Sequence, residues 1–415
     1  MKKLIIIALL IINASSLLAQ QIDVIKFEGL TRTKEDYLRK IILCEEGQEL
    51  DSVLLEKDVH LLRNLNLFFN VEARTEKRNV DSVIVVFSIL EAKYLYPVIW
   101  MSGFKDQLKL ILGFNHINFL GRAQSIGATY QYYDRHSLYV FWKANRHGNS
   151  RTGHEIALQK YSTIEPLYFE DTVSYFNFDN YSVLAGGHIW LTRYLNTGIG
   201  GKYMYEEYSQ RDDAYDIGNK GFAFNKYQLH TSLQYDKIDY IYEKLDGLRT
   251  GLYGEYIYTE GFPEASFMKL VASATWFKQI KERGNLAVRG QFGLATNHKS
   301  PFSPFVLDGI LNVRGIGNRI ERGTGELVVN AEYRCTFWNR RVFSMQAALF
   351  ADYGALRLPG EKLDSFFNRQ PNIYTGGGLR FNLKVWYKTS IRLDYSVNPL
   401  DPTSHGVSFG FGQFF

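Results

Sequence analysis

The chain has 415 residues, with 48 Lys and Arg against 43 Asp and Glu, a formal net charge of +5 that is small for its length. The basic residues are scattered, which excludes the basic stripe that nucleic-acid binding uses. Aromatic residues make up 15% of the chain, with 28 Tyr and 29 Phe, and two cysteines, Cys44 and Cys335, are too few for a disulfide framework.

Lys2 and Lys3 precede an apolar run from Leu4 to Ile12 and a small-residue stretch ending near Ala19. This is the pattern of a secretory signal peptide over residues 1–19. A retained transmembrane helix is not expected, because it needs roughly 20 apolar residues. No Cys follows the expected cleavage region, so a lipid anchor is not expected either. After Gln20 no segment is apolar enough to span as a helix, and the mean hydropathy is -0.21.

Residues 20–91 read as a small α+β domain in the order strand, helix, helix, strand, strand. Thr33 and Asp36 suggest a helix start, followed by Tyr37, Leu38, Ile41 and Ile42 on one face. After Gly47, a second helical period places Leu54, Leu55, Val59, Leu62 and Leu65 inward. Phe69 and Val71 open a second strand, and Val83, Val85, Phe87 and Ile89 alternate along a third. The last two strands are expected to leave an open edge at Val83, Val85 and Phe87 that offers backbone donors and acceptors to an incoming polypeptide.

From residue 92 to 415 the pattern changes to alternating apolar and polar segments of barrel length. Leu327, Val329, Ala331, Tyr333 and Phe337 alternate with Glu326, Asn330, Glu332, Arg334 and Thr336. Ile391, Leu393, Tyr395 and Val397 alternate with Ser390, Arg392, Asp394 and Ser396. Sixteen strands are expected near 95–103, 107–117, 123–133, 137–145, 154–161, 181–193, 197–209, 227–236, 248–260, 266–279, 285–296, 326–338, 342–354, 375–385, 389–398 and 406–415. The connectors sort by length. Those at 162–180, 210–226, 297–325, 355–374 and 399–405 are long and share one parity, whereas 194–196, 280–284, 339–341 and 386–388 are short. An outer-membrane barrel with long external loops and short periplasmic turns accounts for that alternation.

A small domain of this order ahead of such a barrel resembles the POTRA-plus-barrel superfamily of outer-membrane assembly and translocation proteins, the bacterial surface antigen family. The resemblance covers essentially the whole mature chain. It rests on "GQEL...LLRNLNLFFNV" in the small domain, "NFLGR" at 118–122, "NVRGIG" at 312–317, "FADYG" at 350–354 and a last strand ending in Phe415. Two departures stand out: Ile316 occupies the position where the family's loop motif has an aromatic residue, and the chain carries one POTRA domain rather than several. For "NFLGR" the expected role is a tight strand connection that needs Gly121.

The resemblance implies a fold, a latch and a role. The loop over 297–325 is expected to fold into the lumen, where Arg314 and Gly315 meet the barrel wall. Asp352, inward-facing by alternation, is the first-choice partner of Arg314, and Glu332 is the second. Closure between the first and last strands is expected to be weak, because Gly406, Gly410 and Gly412 remove packing there while Val407, Phe409, Phe411 and Phe415 form the apolar outer face. The implied partners are unfolded outer-membrane or secreted polypeptides, outer-membrane lipid and accessory periplasmic proteins. The implied function is assembly of outer-membrane proteins through a lateral seam, with export of a dedicated polypeptide as the alternative and a porin or a barrel lipase or protease behind it. No cofactor, metal or catalytic residue is expected. There is no Gly-x-Ser-x-Gly elbow, and His154-Glu155 lacks the second histidine of a zinc helix because Leu158 stands in its place. His188 and His230 read as lumen lining.

Overall fold

The computed structural model describes residues 20–415 except 66, 80, 103–107, 149, 170–171, 212–220, 242–243, 263–264, 298–299 and 384–388. The expected signal peptide lies outside the described residues. The chain divides into two compact units, with the main boundary between Ala92 and Lys93.

The first unit comprises β1 (Gln21–Glu28), α1 (Glu35–Arg39), α2 (Ser52–Arg63), β2 (Phe68–Lys77) and β3 (Ser82–Glu91). Its core joins Leu38 of α1 and Leu62 of α2 to Val71, Val85 and Phe87 of the sheet, all fully buried. The Asp51 carboxylate accepts from the Val53 N–H at 2.8 Å and so caps α2. The Thr33 and Asp36 pair does not start α1. Lys34 is the N-cap without a side-chain bond, and the Glu91 carboxylate accepts from the Thr33 N–H at 2.8 Å. Buried Asp58 accepts from the backbone N–H groups of Leu43 (2.7 Å) and Cys44 (2.9 Å), fixing the chain reversal between the helices. Burial, and then the neighbouring Asp58, pushes the Cys44 thiol up to about 12.

The sheet order is β1-β3-β2, with β1 parallel and β2 antiparallel to β3. This corrects the expected edge. Val83, Val85 and Phe87 lie on the central strand, hydrogen-bonded on both sides and buried. The reason is the parallel crossover from β1, a non-local pairing that claims the side of β3 left open by β2. The outer edge of β1 is itself covered: Gly47 and Gln48 bond the backbone of Ile22, and Glu46 and Arg39 take the N–H and C=O of Ile25. β2 is therefore the open edge. The Arg63 guanidinium covers it at the Val71 carbonyl, at 2.7 Å, and by strand periodicity the edge continues through Ala73, Thr75 and Lys77.

The second unit is a closed barrel of sixteen antiparallel strands. They are β4 (Leu95–Ser102), β5 (Lys109–Phe119), β6 (Gln124–Tyr133), β7 (Arg135–Ala144), β8 (Thr152–Phe169), β9 (Thr172–Trp190), β10 (Leu195–Gln210), β11 (Gly221–Ile241), β12 (Lys244–Thr259), β13 (Phe267–Ile280), β14 (Gly284–Ala295), β17 (Gly325–Asn339), β18 (Phe343–Arg357), β19 (Asn372–Leu383), β20 (Thr389–Asn398) and β21 (Asp401–Phe411). The connector from β14 to β17 carries a hairpin, β15 (Phe305–Asp308) and β16 (Asn318–Gly323), and that from β18 to β19 carries α3 (Ser365–Asn368). Period-2 alternation sets the faces: Leu349 of β18 is exposed outward while its neighbour Phe350 is buried inward. At the "NFLGR" turn, Leu120, Gly121 and Ala123 all have positive φ. His188 faces the lumen and contacts the Asn145 carbonyl.

Two expected connectors are strand. Residues 162–180 are not a long loop, because β8 and β9 pair without interruption from Thr152–Ile189 to Phe169–Thr172. Inward-facing Leu167, Phe176 and Phe178 form a buried core with Tyr208, Ala265 and Phe302, which favours continued pairing of the two strands. Interspersed Glu165, Pro166, Asp179 and Asn180 hide that core in the sequence. Likewise 399–405 is mostly the start of β21, which ends at Phe411 rather than Phe415.

Candidate functional site

The β15–β16 hairpin folds back against the inner wall. Phe305, Leu307, Val313 and Ile316 pack with wall residues Val328, Leu356 and Tyr374 in a buried cluster. The tip is shaped by Gly315 and Gly317, with φ of +84° and +80°, a backbone region that only glycine adopts at low cost. Gly315 also sits where a side chain would collide with Ser396 and Tyr374.

That turn delivers Arg314, fully buried, to β17 and β18. Its Nε donates to Asp352 Oδ2 at 2.8 Å, its Nη2 to Asp352 Oδ1 at 2.8 Å, and its backbone N–H to Oδ2 at 3.0 Å. Its Nη1 donates to Glu332. The arginine therefore engages both carboxylates at once instead of choosing between them. Its planar fork suits bidentate pairing, and its Cζ lies 3.6 Å from the centre of the Phe350 ring. Asn330 completes the pocket: its Nδ2 donates to Asp352 (2.8 Å) and to the Asn312 carbonyl (2.8 Å), and its Oδ1 accepts from Arg289 (2.9 Å).

Strand register extends this pocket into a network that alternation alone does not reveal. One row across the wall reads Arg334, Ala348, Gly378, Asp394 and Ser408, and the next reads Thr336, Gln346, Arg380, Arg392 and Gly410. Glu332 is its hub, accepting from Arg334 Nε (2.6 Å) and Arg380 Nη2 (3.2 Å) besides Arg314. Asp394 accepts from Arg380 (2.6 Å) and Arg392 (3.2 Å). Each of these four arginines is fully buried. Desolvating them is tolerable only because carboxylates and rings surround them. The sequence pattern does not single out Arg334, Arg380, Arg392 and Asp394 as site residues, although all are polar members of strands whose other face is apolar.

The hairpin also reaches both sides of the barrel closure. Asn318 Nδ2 donates to the Ser102 carbonyl of β4 at 3.0 Å, and Lys109 of β5 pairs with Asp308 at 3.0 Å. On the other side, a Cβ at Gly406 of β21 would lie 3.0 Å from the Gly315 Cα, so glycine at 406 gives the loop room to approach. Among the described residues, β21 pairs with β4 from Ser408–Ser102 to Gly410–Trp100, and the ladder stops there: Leu95–Ile99 of β4 pair with β5 and have no partner on β21.

The glycines at the closure do more than loosen it. Gly410 lies beneath the Trp100 ring, which a Cβ would approach to 2.8 Å. Gly412, with φ of +93°, turns the chain out of the wall. Phe415 is consequently not on the outer face, as the alternation predicts, but inside, packed against Ile238, Phe277 and Ala287. Phe414 is buried beside it.

A single βααββ domain ahead of a sixteen-stranded barrel, with a lumenal hairpin whose arginine is clasped by the wall, defines an outer-membrane barrel of the POTRA-bearing class. Residues 118–415 match the Omp85 superfamily domain, and residues 21–92 match the POTRA model described as surface antigen variable number repeat. The chain belongs to the Omp85 superfamily and is an outer-membrane β-barrel with a periplasmic POTRA domain. Among solved structures it resembles BamA from Haemophilus ducreyi lacking POTRA domains 1-3 at 12% identity and a TM-score of 0.54, covering 94% of this chain and 84% of that one. It resembles CdiB from Escherichia coli at 14% identity and a TM-score of 0.60, covering 95% and 76%. For CdiB from Acinetobacter baumannii the values are 11%, 0.56, 95% and 74%. At these identities the likeness concerns the fold alone. No curated protein sequence matches the chain.

Proposed function

We propose that this protein assembles outer-membrane proteins without a chemical step of its own, receiving unfolded clients at its POTRA domain and passing them to the bilayer through the β21–β4 seam. The observation that carries this reading is the end of the seam ladder at Trp100–Gly410, beyond which Leu95–Ile99 of β4 have no partner on β21 among the described residues. Along that stretch no inter-strand backbone bonds join β4 to β21 among those residues, so lateral opening costs less there than where a strand is paired on both sides. In the alternative, export of a dedicated polypeptide through the lumen, the hairpin and its buried Arg314 would have to leave first. Lateral passage needs the hairpin only to let go of the seam, not to clear the lumen. The receiving edge in this reading is β2, where strand addition calls for little side-chain specificity.

The test is a reversible lock. Met101 and Phe409 are register partners across the seam, and cysteines at both, in a background lacking Cys335, form a disulfide that pins it. Oxidation is expected to stop client assembly, and reduction to restore it. Full assembly by the oxidised protein would overturn the lateral route.

A further inference from the structure

We infer that Phe414 is the centre of a lock that joins the lumenal hairpin to the seam. This deepens the lateral-seam reading and rests on it. Five groups from five different parts of the barrel chain stack in sequence: the Phe350 ring of β18, the Arg314 guanidinium of the hairpin, the Phe414 ring beyond β21, the Arg392 guanidinium of β20 and the Trp100 ring of β4. The Arg314 Cζ lies 3.6 Å from the Phe350 centroid and 4.4 Å from that of Phe414. The Arg392 Cζ lies 4.7 Å from the Phe414 centroid and 4.7 Å from that of Trp100. Trp100 in turn covers Gly410, its register partner on the opposite side of the seam. The stack thus begins at the latch and ends across the closure.

Its electrostatics explain why a ring is needed in the middle. Among the described residues, Arg314, Arg334, Arg380 and Arg392 face three carboxylates, Glu332, Asp352 and Asp394, so this buried network carries one cation in excess. Arg392 Nε and Nη2 have no hydrogen-bond acceptor among those residues, as is also true of Arg334 Nη1 and Nη2 and Arg380 Nε, and the Arg392 side chain is fully buried. An unsatisfied buried guanidinium is costly, and the negative π faces of Phe414 and Trp100 are what compensate it. At the seam end of the network, the under-bonded Arg392 is therefore held by a ring that Gly412 swings in from β21. Loss of Phe414 uncovers Arg392 and one face of Arg314 together. An aromatic client residue that displaces Phe414 would release hairpin and seam in one event.

The experiment is hydrogen exchange followed by mass spectrometry on the purified full-length protein, comparing Phe414→Ala, Phe414→Leu and Phe414→Tyr. Because Phe414→Ala and Phe414→Leu each remove a ring face from two desolvated guanidinium groups, both are expected to speed exchange roughly 10-fold or more in peptides covering 98–102, 406–411 and 308–318 together, while Phe414→Tyr stays within about twofold of the parent. Peptides of β11 and β12 should not change. Unaltered exchange in Phe414→Ala overturns the lock, and so does full protection in Phe414→Leu, which would reduce the role of the ring to apolar packing. If the Phe414 variants do not fold, Trp100→Leu tests the stack from its other end: faster exchange at both 98–102 and 308–318 supports it, and a rise confined to 98–102 overturns it. Because the readout needs no client, it separates this inference from the functional reading, which fails if the seam-locked protein still assembles clients.

Discussion

Replacing Arg314 by alanine removes the bidentate pair with Asp352 and the bond to Glu332, and leaves Asp352 buried with only Asn330 and the residue-314 backbone N–H as donors. Breaking one side of a fully buried pair costs about 3–5 kcal/mol. In contrast to a global defect, this cost falls on the hairpin, because the strand ladders do not pass through Arg314. Asp352→Ala should cost a similar amount, about 3–5 kcal/mol, because it leaves four buried arginines facing two carboxylates even though Glu332 and the Phe350 ring still hold Arg314. Glu332→Ala should be the most severe of the three, as it strips a carboxylate from Arg314, Arg334 and Arg380 at once. The assay is the rate at which external protease cleaves within 305–323 on intact cells, which tracks the open population when closing is fast. For Arg314→Ala the expected acceleration is roughly 100- to 4000-fold, at about 1.4 kcal/mol per tenfold. In the Arg314→Ala, Asp352→Ala double variant the effects should be less than additive, by about 0.5–3 kcal/mol. A cleavage rate unchanged in Arg314→Ala, or strictly additive effects, would refute the latch.

Two predictions concern the POTRA domain. Photo-crosslinkers at Ala73 and Thr75 on the β2 edge should capture nascent outer-membrane proteins in cells, whereas one at Val85 on the central strand should not; capture at Val85 alone would return the contact to β3. Burial raises the Cys44 thiol to about 12, so the folded domain holds that proton more tightly than the unfolded chain, whose thiol titrates near 8.5. The corresponding stability is fully present below about pH 8.5 and is lost progressively as the pH rises from there towards the folded value. In a Cys335→Ser background, alkylation of Cys44 should therefore stay far slower than that of a free thiol through about pH 9. Rapid alkylation of the folded protein would show that the thiol is accessible.

Much of this architecture is legible in the residues because it depends on local period. Alternation along 343–353 places Asp352 inward, and the run Val83-Val85-Phe87 is recognisable as strand. Non-local pairing is what the pattern does not carry. Nothing in Ser82–Ile89 announces that β1, some sixty residues earlier, will claim its second side and turn an apparent edge into the centre. Arg380 and Arg392 can be read as inward-facing, but their meeting with Glu332 and Asp394 depends on the relative stagger of four strands, which side-chain period leaves open. Phe415 continues the outward alternation of β21 until a single residue, Gly412, adopts positive φ and redirects it inward. The long β8–β9 hairpin is hidden for a different reason: its polar residues mimic a loop while its inward aromatic residues build a core with β10 and the loops beside it.

The central claim, that the protein assembles outer-membrane clients, is tested most directly by depleting it and quantifying the outer-membrane proteome and the secretome together. The account predicts a broad fall in β-barrel proteins of the outer membrane, with secreted proteins following only where they depend on those barrels. Loss of one secreted protein with the barrels unchanged would contradict it in favour of export, and an unchanged profile in both fractions would contradict polypeptide handling altogether.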